Sequence, residues 1–189
     1  QANVAVVGSD GRVRDRFFNR VMFPIKDEQG QCIAFGGRVI GKGEPKYLNS
    51  QETPLFHKGR MLYALDKAKA AMASTGVAVV SEGYTDVIAM HEAGIRNAVA
   101  TLGTALTRTH IRVLSRHARN RIVYLFDGDA AGQRAADRAL QFIDSSMTPE
   151  AGVARIDLFA VTLPDNLDPA EFIDAHGGRE LQALIDQAK

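Results

Sequence analysis

The sequence predicts an α/β protein in which a mostly parallel sheet with flanking helices follows a smaller, basic, mixed α+β segment. Three observations lead there. Residues 77–86, VAVVSEGYTD, and 123–132, VYLFDGDAAG, are short apolar runs that break off in an acid beside a glycine, as buried parallel strands do where they deliver side chains at their C-terminal ends. From Val77 onward strand and helix patterns alternate four times, which calls for right-handed crossovers in one sheet. Charge also divides near Arg60, with ten Lys/Arg against six Asp/Glu up to and including it and thirteen against sixteen after it. The two signs are thus segregated between a basic segment 1–60 and an acidic segment 61–189, which holds the alternating pattern.

Taken in order, residues 2–8 read as a strand ended by the Ser9-Asp10-Gly11 turn. The apolar runs 21–25 and 32–39 flank a polar connection and predict a β-hairpin or meander. The glycine- and proline-bearing stretch 41–60 lacks periodic apolar positions and reads as a long ordered loop. Leu62, Leu65, Ala68 and Met72 recur at helical spacing and predict a helix over 61–74. Strands then follow at 77–81, 98–101, 122–126 and 155–161, with helices at 85–93, 107–118, 130–143 and 179–187. No internal repeat interrupts this order, and the chain reads as part of something longer.

In open α/β sheets, ligands sit outside the C-terminal strand ends. Glu82, Asp127 and Asp129 are thereby expected in one cleft, where their mutual repulsion calls for a cation. Hard oxygen donors without His or Cys suit magnesium or manganese better than zinc. Asp86 lies four residues after Glu82, in a first helical turn. There a carboxylate serves the helix dipole as readily as a metal, and both readings stay open. Beyond the fourth strand, LPDNLDPAEF adds Asp165, Asp168 and Glu171. Pro169 fits the first position of a helix and Asp168 its N-cap, a role compatible with ligation. Arg38, Lys46 and Lys58 stand among glycines with Tyr47 and Asn49, a pattern suited to phosphate binding and base stacking. Thr107 reads as a helix cap, and the five histidines, which lack metal-ligand spacing, as surface or core residues.

Composition narrows the class. The 189 residues, 46% hydrophobic with a net charge of +1, suffice for a substantial core. The single cysteine, Cys32, excludes an internal disulfide, and neither a leader nor a long apolar span is visible, so a cytoplasmic setting is expected. No Walker loop, Gly-x-Ser-x-Gly or strand-end GxGxxG occurs, which removes P-loop, triad-hydrolase and dinucleotide readings.

The set EGYTDVI, ATLGTALT, FDGDAAG and LDPAEF resembles a Toprim domain. Before it, RDRFFNRVMFPI, FGGR, PKYLNS and FHKGR are similar to the polymerase core of bacterial replicative DNA primases of the DnaG type. The resemblance covers almost the whole chain. It implies a Toprim-like sheet and DNA-templated synthesis of short RNA primers from ribonucleoside triphosphates by two-metal nucleotidyl transfer. It further implies that Glu82, Asp127, Asp129 and Asp168 ligate two or more Mg²⁺ or Mn²⁺ ions with Asp86 in support. Arg38, Lys46, Tyr47, Asn49 and Lys58, with Arg16 and Arg20, would bind nucleotide phosphates or the nucleic-acid backbone. Zinc would belong only to a separate N-terminal domain, and contact with the replicative helicase to a C-terminal one. Single-stranded DNA, an RNA primer and an inhibitory guanosine alarmone are the other implied partners, at a cytoplasmic, nucleoid-associated replication fork and without a membrane. The family often reads Asp-Pro-Asp where this chain has Asp168-Pro169-Ala170, so Glu171 would have to supply the missing carboxylate. The alternatives are a Toprim nuclease, a topoisomerase fragment using Tyr84, or a non-catalytic nucleic-acid-binding module.

Overall fold

The structure, a computed structural model, describes residues 4–128 and 156–188. The chain divides into two units, residues 1–57 and 58–189. The first is built from strands. β1 (Ala5–Val7) and β2 (Val13–Asp15) pair antiparallel around a turn in which Asp10 accepts the Arg12 N–H at 3.1 Å and two bonds from the Arg14 guanidinium at 3.1 and 2.6 Å. β3 (Arg20–Lys26) and β4 (Cys32–Val39) form the expected hairpin, and its alternation buries Phe23, Ile25 and Ala34. At Gly37 a Cβ would lie 2.9 Å from a ring carbon of Phe17 and 3.1 Å from the Arg20 side chain, so glycine lets both cross β4. A third strand, β5 (Tyr47–Asn49), pairs with β4 inside the stretch that the sequence reads as loop. Three residues are too few to show alternation; the strand exists because β4 offers an open edge. Among the described residues of this unit there is no helix, so the α part of the expected α+β segment is not found there.

The second unit carries α1 (Leu65–Thr75), β6 (Val77–Ser81), α2 (Tyr84–Glu92), β7 (Ala98–Ala100), α3 (Arg108–Leu114), β8 (Arg121–Phe126), β9 (Asp157–Thr162), α4 (Pro169–His176) and α5 (Gly178–Gln187). The four strands run parallel in the order β7-β6-β8-β9. The helix expected over 130–143 and the candidate Asp129 lie outside the described residues. Alternation along each strand feeds two cores. Val80, Val99, Ile122 and Tyr124 pack against α1 and α3, while Val79, Val123 and Leu125 pack against α2, α4 and α5. Burial on both faces is why these strands read as unbroken apolar runs.

α1 begins four residues later than the periodicity predicts. Tyr63 exchanges main-chain bonds with Ala100, at 2.9 and 3.3 Å, and Ala64 adopts a left-handed φ of 63°. Sheet-edge pairing thus takes residues whose side-chain spacing alone suits a helix.

Candidate active site

β6 and β8 pair with Val80 opposite Tyr124, so Glu82 and Asp127 follow adjacent strand ends on one rim of the sheet. The segment after β9 folds onto the same rim. Leu163 N–H donates to Phe126 O at 3.1 Å and Gly128 N–H to Leu167 O at 3.1 Å. The crossing is close: a Cβ on Gly128 would lie 2.5 Å from Leu163 O and 2.8 Å from Asn166 main-chain atoms, which no side chain tolerates. Asp165 and Asn166, at φ of 59° and 57°, turn the chain back and bring Asp168 to the rim.

Asp168 caps α4, accepting the Glu171 N–H at 2.7 Å. Glu171 in return accepts the Asp168 N–H at 3.2 Å. One carboxylate oxygen of each residue is thus used in the capping box, which leaves the other oxygen of each for a cation. Asp86, 5% exposed, accepts the Gly83 N–H at 3.1 Å and a main-chain bond from Ala170. Burial first, then the charges of Asp168 and Asp127, push its carboxyl up to about 7. Three acids from α2, the end of β8 and the start of α4 therefore share one electrostatic field. Burial also pushes the Tyr124 phenol up, with Glu82 and Asp127 adding to the effect, which brings Glu82 into that field.

Among the described residues no three acid, imidazole or thiol side chains already form a metal cage. The acids lie within electrostatic reach of one another rather than in coordinating positions. Their chemistry nonetheless fits a hard divalent cation: the donors are carboxylates, and the ionised form of Asp86 is disfavoured below about pH 7 by burial and by Asp168 and Asp127, whose charges a cation would offset.

In the first unit, the β3-β4-β5 sheet gathers Arg20, Arg38, Lys46, Tyr47 and Asn49. Arg20 donates to the Gly37 and Lys46 carbonyls at 3.3 and 3.4 Å, which braces the sheet. The Lys46 ammonium lies 5.8 Å from the Tyr47 ring centre. Arg38 is exposed, Arg16 half-buried, and Lys58 belongs to the second unit.

Thr107 is the helix cap that the sequence predicts, but the sequence reading misses that it and His110 also fasten residues 58 and 59. Thr107 donates its hydroxyl to Gly59 O at 2.7 Å and accepts the His110 N–H at 3.1 Å. His110 Nδ1 accepts the Thr107 N–H at 3.2 Å. That leaves Nε2 as the donor to Lys58 O at 2.9 Å. His110 is fully buried, and burial pushes its imidazole down, so it is a neutral clamp across 52 residues of chain. The Thr-x-x-His spacing, a capping-box interval, was the available signal. Tyr84 is buried, its ring edge-on to Tyr63 at 4.9 Å, which disfavours it as a nucleophile toward a DNA backbone. Among the described residues no helix is long and apolar enough to cross a membrane.

A parallel sheet that gathers acids at its β6 and β8 ends is the architecture of a Toprim domain, and the Toprim domain family matches residues 76–157. Residues 1–69 match the N-terminal domain of the DNA primase catalytic core. The chain belongs to the bacterial DNA primase family. The DNA primase of Pseudomonas aeruginosa is 48% identical over 187 residues, 98% of this chain but 27% of that protein. A solved DNA primase domain from Pseudomonas aeruginosa superposes with a TM-score of 0.87 at 46% identity, covering 99% of this chain and 57% of that one. A DnaG primase catalytic domain bound to ssDNA matches with a TM-score of 0.87 at 44% identity, over 99% of this chain and 58% of that one. The chain thus spans about a quarter of the length of that full-length relative.

Proposed function

We propose that the chain is the catalytic portion of an enzyme that lays short RNA primers on single-stranded DNA by nucleotidyl transfer. Segment 1–60 is its basic part and 61–189 its acidic sheet domain. The observation that carries this reading is the shared field of Asp86, Asp127 and Asp168, which leaves Asp86 protonated up to about pH 7 in the absence of a counter-charge. Glu82, Asp127, Asp129 and Asp168 would hold Mg²⁺ or Mn²⁺, with Asp86 fixed behind them by the Gly83 and Ala170 amides. When bound, two such ions activate an attacking 3′-hydroxyl and steady departing pyrophosphate. Arg38, Lys46, Tyr47 and Asn49, on a sheet braced by Arg20, would grip triphosphate or backbone phosphates together with Arg16, and Lys58 of the second unit would bind phosphate in its own right.

The relative solved with ssDNA supports a single-stranded template. Likeness to primases supports an RNA primer and ribonucleoside triphosphates as the other ligands, with a replicative helicase and a guanosine alarmone as further partners at a cytoplasmic replication fork. The test is a magnesium and manganese titration of the complete protein with labelled ribonucleotides and a single-stranded template. Asp127→Ala should abolish metal-dependent synthesis, whereas Lys46→Ala should weaken triphosphate binding and its salt dependence. Metal-dependent synthesis persisting in Asp127→Ala would overturn the proposal. Strand cutting in place of synthesis would favour a Toprim nuclease.

A further inference from the structure

Residues 93–126 hold six arginines and neither aspartate nor glutamate. Arg108, Arg112 and Arg116 are spaced four apart, and all three are exposed. Although α3 ends at Leu114, the Ser115 N–H bonds to Ile111 O and the Ala118 N–H to Leu114 O, both at 2.8 Å, which carries the helical turn past Arg116. Residues four apart share a helix face. The three side chains therefore leave the helix from one face, their Cα positions about 6 Å apart along the axis. β7, the strand that precedes α3, ends beside Ser81, one residue before Glu82.

Helix energetics do not explain the row. Arg108 takes the first helical position, where the macrodipole disfavours a cation, and like charges four apart repel. Arg121 is compensated by Asp186 at 3.8 Å; Arg112 and Arg116 form no salt bridge among the described residues. The surface also lacks what a protein partner needs. No large apolar side chain is exposed among the described residues 89–128, whereas protein interfaces are built around an apolar centre.

We infer that the exposed Arg108-Arg112-Arg116 row on α3 is a second nucleic-acid surface, outside the residues assigned to metal and triphosphate, that grips successive backbone phosphates. Arginine suits the task because its planar fork meets phosphate oxygens in pairs. The inference rests on the nucleic-acid reading above.

The test measures affinity of the complete protein for a single-stranded oligonucleotide, and for a duplex of the same sequence, across a salt series. The triple variant Arg108→Gln/Arg112→Gln/Arg116→Gln should lower the slope of log affinity against log salt by about 2 for the single strand, from about 0.7 per lost phosphate contact. Triple replacement by lysine should keep most of the slope. Binding of a ribonucleoside triphosphate with Mn²⁺, and the melting temperature, should stay at wild-type values in both. A larger slope change on the duplex assigns the row to the primer–template product; a larger one on the single strand assigns it to the template. Unchanged slopes on both, with wild-type binding intact, overturn this inference alone. A wild-type protein that shows no salt-dependent DNA binding overturns the nucleic-acid reading and the inference with it.

Discussion

Asp86 makes the charge of the rim measurable without catalysis. Its carboxyl is pushed from an ordinary 3.8 to about 7. Roughly three units at about 1.4 kcal/mol each give an upper figure of about 4 kcal/mol. Because Asp127 and Asp168 titrate in the same field, an effect on the order of 2 to 4 kcal/mol is expected. The sign follows from proton binding. Between about pH 4 and 7 the folded protein holds this proton more tightly than the unfolded chain does. The stabilisation is therefore complete below about pH 4 and is lost as pH rises through about 7. Urea unfolding with a chelator should accordingly find the wild-type protein less stable at pH 8 than at pH 5 by up to about 2.7 kcal/mol, the share of the effect that falls between those two pH values. Asp86→Asn keeps an oxygen that can accept the Gly83 N–H but carries no titrating proton. It should flatten this dependence and, at pH 8 without metal, should match or exceed the wild type in stability. Magnesium should raise the stability of the wild type at pH 8. Equal wild-type stability at pH 5 and 8, or an Asp86→Asn variant with unchanged pH dependence, would refute the shared field.

Two further outcomes follow from the geometry. His110→Ala strands the Lys58 carbonyl and the Thr107 N–H and should cost about 2 to 3 kcal/mol in thermal or urea unfolding. In the wild type, because burial lowers the His110 imidazole, its contribution is present above about pH 6.5 and should fade as pH falls below that, a loss absent from the variant. Gly128→Ala drives a methyl group against Leu163 O at 2.5 Å. It should destabilise the fold by more than about 2 kcal/mol and weaken Mn²⁺ binding, read by calorimetry, by displacing the segment that carries Asp168.

The parallel sheet was legible because both of its faces are buried, leaving runs such as 77–81 and 122–126 with no competing pattern. Their acid-glycine endings likewise gave Glu82 and Asp127 without knowledge of neighbours. What sequence could not supply was partnership over distance. β5 is strand only because β4 has an edge to fill, and α1 starts late because Tyr63 finds Ala100. Asp86 was ambiguous between capping and ligation, and the structure shows why: its carboxylate accepts a helix-starting amide while facing two other acids. His110 looked ordinary because its partner carbonyl lies 52 residues away.

The clamp around residues 58 and 59 has an evolutionary side. Thr107 and His110 take hold of carbonyl oxygens, groups that every amino acid carries, so the anchoring bonds are indifferent to which side chain stands at position 58. Those two bonds would therefore survive replacement of Lys58, leaving its side chain to the phosphate role proposed above. A change at His110 has no such latitude, because it removes the fastening itself.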